Sequence, residues 1–237
     1  MFKHKTGFTL IELSIGLAFI SILLISITTS TIQLGNSYNR GITMKTVSQA
    51  GRSIIADLQS EFRAVEPISA QIQGSDYVLI PNTSNPTGGR LCLGSYSYIW
   101  NYATTSKINV NSNYYSDDSN TRIRLVKISD QNKSYCTANP NYPPIPKSSA
   151  RELLTSGDRD LSLYSFNISN SSYDAWSNSK AFYISFKLGT MSFNSSGVPI
   201  TSPVDIAALK CKDPGQAGAN LAYCVIEEFS VNIVSGY

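Results

Sequence analysis

The feature that most restricts this chain is one unbroken apolar run. From Phe8 to Ile27 the sequence reads FTLIELSIGLAFISILLISI, and its single formal charge is Glu12. Helix over this stretch is about 30 Å long, the thickness of a bilayer's hydrocarbon core. A helix that is apolar on every side must be surrounded on every side, by lipid or by other protein.

The flanks give the run a direction. Lys3, His4 and Lys5 precede it and the next basic residue is Arg40, so the positive-inside bias places Met1 in the cytoplasm and the remainder of the chain outside. A secretory signal has a shorter apolar region, roughly 7 to 15 residues, ends in small residues and has no carboxylate at its start. Glu12 also fits a plain anchor poorly. A carboxylate inside a spanning helix costs roughly 2.5 to 3.5 kcal/mol at mid-bilayer and less toward its end, so it marks function and calls for a positive partner.

The segment from Lys3 to Leu24, KHKTG followed by FTLIELSIGLAFISILL, resembles the processing site of type IV pilins and of type II secretion pseudopilins. The resemblance implies that a membrane prepilin peptidase cuts between Gly7 and Phe8, removing residues 1–7, and that the same enzyme methylates the new amino group of Phe8. It assigns filament assembly to Glu12, fifth in the mature chain. It implies as partners other pilin and minor pilin subunits, the peptidase, and a membrane assembly platform whose separate motor hydrolyses ATP. The electrostatics agree with this assignment. Cleavage creates an ammonium at Phe8, and in a low-dielectric filament core Glu12 of one subunit neutralises that ammonium on a neighbour, whereas either charge buried alone is expensive.

Downstream, Val47, Gly51, Ile54, Ile55, Leu58, Phe62 and Val65 recur at three- and four-residue steps, the mark of an amphipathic helix. Glu66-Pro67 is the expected stop, because proline disfavours helical geometry before it and donates no backbone hydrogen bond. Helix from Phe8 to Val65 would be about 87 Å long. The weak helix formers at Thr28 to Thr31 and the segment Gly35 to Gly41 mark where a break is expected if there is one.

From Asp76 onward the pattern changes to short β-like runs separated by Asn, Ser, Gly and Pro. These are Tyr77 to Ile80, Leu91 to Tyr102, Ile123 to Ile128, Leu161 to Ile168, Phe182 to Leu188 and Cys224 to Val234. Phe182, Ile184, Phe186 and Leu188 alternate with Tyr183, Ser185 and Lys187. Val225, Phe229, Val231 and Ile233 form a similar face interrupted by Glu227. The expected fold is therefore α+β, a long N-terminal helix packed on an antiparallel sheet. Its segments are a leader over 1–7, a transmembrane and assembly helix over 8–27, an amphipathic continuation over 28–66 and an exported β-rich head over 67–237. The stretch ELLTSGDRDLSLYSFNIS, followed by AFYISFKLG, also resembles the central strands of larger minor pilins and of pseudopilins related to the J component of type II secretion.

Composition limits the chemistry available. In 237 residues, 42% hydrophobic and 15% charged, there is room for one sizeable core. The net charge of +3 falls to +1 without Lys3 and Lys5, no strong attraction for nucleic acid. The only histidine is His4, inside the leader, so the mature chain has no imidazole for Ser/His/Asp or Cys/His catalysis or for a His-ligated metal. Neither a P-loop nor a dinucleotide fingerprint is present. No enzymatic activity, cofactor or metal is expected.

Cys92, Cys136, Cys211 and Cys224 are even in number, lie on the exported side and lack C-x-x-C spacing, which favours disulfides over zinc and leaves three connectivities. Many pilins close a loop near the C-terminus with a disulfide. That resemblance implies Cys211 with Cys224, leaving Cys92 with Cys136. Tyr96, Tyr98, Trp100 and Tyr102 occupy alternate positions and so share one face of a strand, either a core or subunit-contact face or a surface that stacks on a ligand such as a sugar. Arg122 and Arg124 alternate as a small basic stripe, either a solvated strand face or a DNA contact. Asp117, Asp118 and Asn120 read as a turn without calcium-loop spacing.

The function these features imply is structural: a minor pilin held in the membrane with its head outside, then placed in an extracellular pilus. The alternatives are a pseudopilin of a type II secretion or competence system in a periplasmic or wall-spanning fibre, or a pilus-tip adhesin or DNA receptor.

Overall fold

The computed structural model describes residues 9–65, 77–80, 87–104, 114–118, 121–136, 142–154, 160–174, 179–193, 199–200, 203–205, 207–220 and 222–235. It is an α+β fold in which one long N-terminal helix packs on antiparallel sheets.

Helix α1 runs from Leu10 to Ala64 without a break. The expected weak point around residues 28–41 is continuous helix. There the hydroxyls of Thr28, Thr29, Ser30 and Thr31 each donate back to the carbonyl four residues earlier, so these polar side chains are satisfied within the helix itself. Val65 turns extended and ends the helix. Glu66 and Pro67 lie outside the described residues.

The strands form two main sheets. The first is a five-stranded antiparallel meander of β1 (Tyr77–Ile80), β2 (Gly88–Leu93), β3 (Tyr96–Asn101), β4 (Leu125–Ser129) and β5 (Ala150–Glu152) in sequence order. The second contains β6 (Leu161–Asp174) and β7 (Ser179–Thr190), a long hairpin, with β12 (Ile226–Ser235) on the other side of β7. Between them come β8 (Ser192–Phe193) paired with β9 (Pro199–Ile200), and β10 (Val204–Asp205) paired with β11 (Lys210–Cys211). The sheets meet where Tyr102 bridges Leu163 and the Ala103 N–H donates to the Leu163 carbonyl at 2.7 Å. The hydroxyls of Tyr77 and Tyr102 both donate to the Phe166 carbonyl and so seal the edge of β6.

One expectation needs correction. Leu91 to Tyr102 is not a single strand but the hairpin β2–β3, reversed at Gly94-Ser95, with Leu93 opposite Tyr96. Gly94 sits at φ +55, a left-handed conformation that glycine adopts without strain. Sequence reading also missed β5 and the short ladders, and although it started β6 correctly at Leu161 it stopped the strand at Ile168, short of Asp174.

The main core lies between α1 and both sheets. Val47, Ile54, Leu58 and Phe62 of the helix stripe meet Leu91, Leu93, Tyr98 and Trp100 of the first sheet and Leu163, Phe166, Phe182, Ile184, Phe186 and Leu188 of the second. Aromatic rings carry contact across the join, from Tyr77 to Trp100, Phe166, Phe186 and Phe229, with successive centroids 6.0, 4.6, 5.9 and 5.3 Å apart. Gly51 lets α1 approach β12 closely, because a Cβ there would lie 2.3 Å from Cζ of Phe229. On the far face of the first sheet a second core gathers Ile99, Ile123, Val126, Ile128, Tyr135 and Ile145.

The four cysteines form two disulfides, Cys92–Cys136 and Cys211–Cys224. The first ties β2 to the segment that covers the second core; the second closes the loop before β12. Each such closure stabilises by roughly 2 to 4 kcal/mol.

Candidate functional site

Two regions carry the sequence-based expectations: the start of α1 and the aromatic face of β3. At the helix start, Thr9 and Glu12 form a capping box. The Thr9 N–H and hydroxyl donate to Oε2 of Glu12 at 2.9 and 2.8 Å, and the Glu12 N–H donates to Oγ1 of Thr9 at 3.3 Å. The carboxylate therefore sits in the first turn, at the positive end of the helix dipole, satisfied by its own backbone. Gly7 and Phe8 lie outside the described residues, as do the other leader positions.

Beyond that turn α1 is bare. Every residue from Leu10 to Tyr38 is exposed, including Leu17, Phe19, Ile22 and Leu24. The helix is long and apolar enough to cross a membrane. So much exposed apolar surface on one side of a folded domain demands a covering phase or partner.

The aromatic face of β3 is spoken for. Tyr98 and Trp100 are 1% exposed, and Tyr102 just beyond the strand is 6% exposed. All three face the helix and the second sheet within the main core. The hydroxyl of Tyr98 donates to Asp57 on α1. Only Tyr96 is partly open, its ring 4.5 Å from Nζ of Lys127. The alternation was legible, but it reports the core rather than a ligand-stacking surface. The basic stripe is occupied in the same way. Arg122 donates to the Tyr102 carbonyl at 2.7 Å, and burial pulls its guanidinium down to about 10. Arg124 pairs with Asp160 at 2.9 Å. Asp117 accepts from the Lys147 N–H and Asp118 holds Thr121 and Lys147, a turn stitched by its own side chains.

Several polar clusters were not foreseen. Asp57 and Glu61, one turn apart on α1, both grip Lys127 of β4, whose Nζ lies 3.2 Å from Asp57 and 2.7 Å from Glu61. Their i, i+4 spacing was a visible signal; the lysine, far along the chain, was not. Glu152 accepts from the backbone N–H groups of Arg124, Leu125 and Leu154 and from Tyr115. Burial pushes its carboxyl up, and those hydrogen bonds only partly oppose the shift. Arg90 is fully buried, its guanidinium nitrogens without a hydrogen bond among the described residues, stacked 3.5 Å from the Tyr142 ring centroid and 5.6 Å from that of Tyr135. Each of these groups sits in a packed interior and stitches one element to another.

A polar cleft of about 670 Å³ opens between α1 and the loop of the second disulfide, lined by Asn36, Ser37, Arg40, Gly215, Asn220 and Tyr223 among others. Across it Asn39 donates to the Tyr223 hydroxyl at 3.4 Å. Among the described residues no group of three or more His, Cys, Asp or Glu side chains is arranged to hold a metal. Comparisons with protein-family models, curated proteins and solved structures found no match.

Proposed function

We propose that this chain is a minor pilin: a prepilin cut after Gly7, N-methylated at Phe8, held in the membrane by α1 with its head outside, and then taken into a type IV pilus. Its work is assembly and not catalysis. One observation carries the reading. A single helix is exposed on all sides over its first half, bears one carboxylate there, Glu12, in the opening turn, and continues unbroken into the stripe that organises the head. Such a helix is satisfied in lipid before assembly and among like helices after it, and Glu12 exchanges its hold on Thr9 for the ammonium of a neighbour. The same features serve a pseudopilin of a secretion or competence fibre. A tip adhesin built on the β3 aromatics is disfavoured by the burial of Tyr98, Trp100 and Tyr102.

The test is the N-terminus of the membrane-associated protein, read by intact-mass and peptide mass spectrometry in wild type and a Gly7→Leu variant. A chain beginning with N-methylated Phe8 in the wild type, and uncut in the variant, is the expected result. Uncut Met1 chains in both would leave a membrane-anchored β-rich domain and remove the prepilin reading.

A further inference from the structure

Between residues 28 and 64 α1 carries six charges: Arg40, Lys45, Arg52, Asp57, Glu61 and Arg63. They are sorted by side. At 100° per residue, Lys45, Arg52 and Arg63 fall within about 20° of one line along the helix, over an axial length of about 27 Å. All three are exposed, and among the described residues none has an ion pair. Both acids are turned about 120° or more away from that line and are held by Lys127 of β4. The outward face of the head-bearing half of α1 is therefore cationic and free of acid.

This face is where a neighbour must lie. The head covers the opposite stripe, Thr43, Val47, Gly51, Ile54, Leu58 and Phe62. A helix packed along the bare half of α1 and continuing in the same direction meets the side of residues 43–64 that is open among the described residues. A second copy of this chain brings the same acid-free stripe. At any axial shift shorter than the stripe itself, about 27 Å, the two stripes overlap and set cation against cation or against uncharged residues such as Gln49, Ala56 and Ser60, and like charges facing each other select against a partner.

We infer that the outward stripe Lys45, Arg52 and Arg63 selects a neighbour other than this chain, a subunit whose own helix presents acidic residues along the contact. The inference deepens the minor-pilin reading, on which it rests: the subunit is inserted among unlike subunits and does not polymerise with itself.

The chain can supply its own acidic partner. In the full-length protein in detergent micelles, all four native cysteines are bonded, so Ala56→Cys, in the middle of the exposed stripe, adds a single thiol. This version is mixed with a mass-tagged version that also carries Lys45→Glu, Arg52→Glu and Arg63→Glu, and disulfide cross-linking is measured. At low salt the mixed dimer should exceed the wild-type-stripe homodimer on the order of tenfold, and the excess should vanish near 1 M salt, where the screening length is about 3 Å. A neutral version with glutamine at the three positions should form its homodimer more readily than the wild-type stripe does, which separates charge from any loss of folding in the reversed version. Equal homodimer and mixed dimer at low salt, no mixed product at all, or an excess that survives high salt would overturn the inference. None of these outcomes depends on cleavage after Gly7, so failure of the prepilin reading is recognised separately by the N-terminal mass.

Discussion

Helix α1 is one secondary element with two lives. From Leu10 to Tyr38 leucine, isoleucine and phenylalanine point outward on every side. From Thr43 to Phe62 a single stripe is buried and the remaining faces are polar or partly covered. The backbone is the same throughout, so the difference lies in what surrounds each half. The head stabilises its half through packing, whereas the bare half depends on lipid or on other helices. Substitutions of the same kind should therefore register in different assays depending on which half they fall in.

The largest contrast is expected between Phe62 and Phe19. Phe62 is fully buried with its ring centroid 5.2 Å from that of Phe182, whereas Phe19 is 63% exposed. Phe62→Ala should lower head stability by about 3 to 5 kcal/mol, and Phe19→Ala should leave it within about 0.5 kcal/mol. The measurement is denaturant unfolding of the full chain in micelles, followed by near-ultraviolet circular dichroism. Equal losses would break the division into two halves.

Glycines sharpen the same comparison at smaller magnitude. Gly51→Ala drives a Cβ into the Phe229 ring and should cost about 1 to 3 kcal/mol in that assay. Gly16→Ala meets nothing within 4 Å, so it should not weaken the head and should favour the local helix by about 1 kcal/mol.

Acid should distinguish the halves last and least. Burial pushes the Asp130 carboxyl up, but hydrogen bonds from the Ser97 hydroxyl, the Ser134 and Tyr135 N–H groups and the Ser134 hydroxyl outweigh it and hold it below its ordinary value of 3.8. With the folded value below the unfolded one, the stabilisation from Asp130 is complete above the unfolded value and is lost as pH falls through the folded value. Asp130→Asn should therefore cost about 1 to 2 kcal/mol at pH 7, and its deficit against wild type should shrink as pH drops below 4 in thermal unfolding. A deficit that is constant with pH would mean the carboxylate charge does not matter.

Much of this molecule is legible in its sequence. The long apolar helix, the stripe from Val47 to Phe62 and the alternation in β7 all follow from local periodicity, and the buried Phe182, Ile184, Phe186 and Leu188 confirm that alternation. The β2–β3 hairpin was missed because eight apolar and aromatic residues between Leu91 and Tyr102 drown one glycine, although Gly94 was the available signal. The Lys127 grip on Asp57 and Glu61, the Arg90 stack and the buried Glu152 join residues far apart in the chain, and no local pattern marks them.

By itself the sequence determined that a helix runs from the apolar stretch into an amphipathic continuation, that a β-rich head follows and that the one histidine, His4, precedes the apolar stretch. Each of these depends only on residue type and spacing along one segment. The tertiary structure alone decided which of the three cysteine pairings forms, that Tyr98 and Trp100 of β3 face inward against α1, and that Asp57 and Glu61 turn to the sheet and leave a cationic face outside on that half of the helix. Alternation tells which residues share a side, but which side is covered depends on the segments that pack against it from elsewhere in the chain.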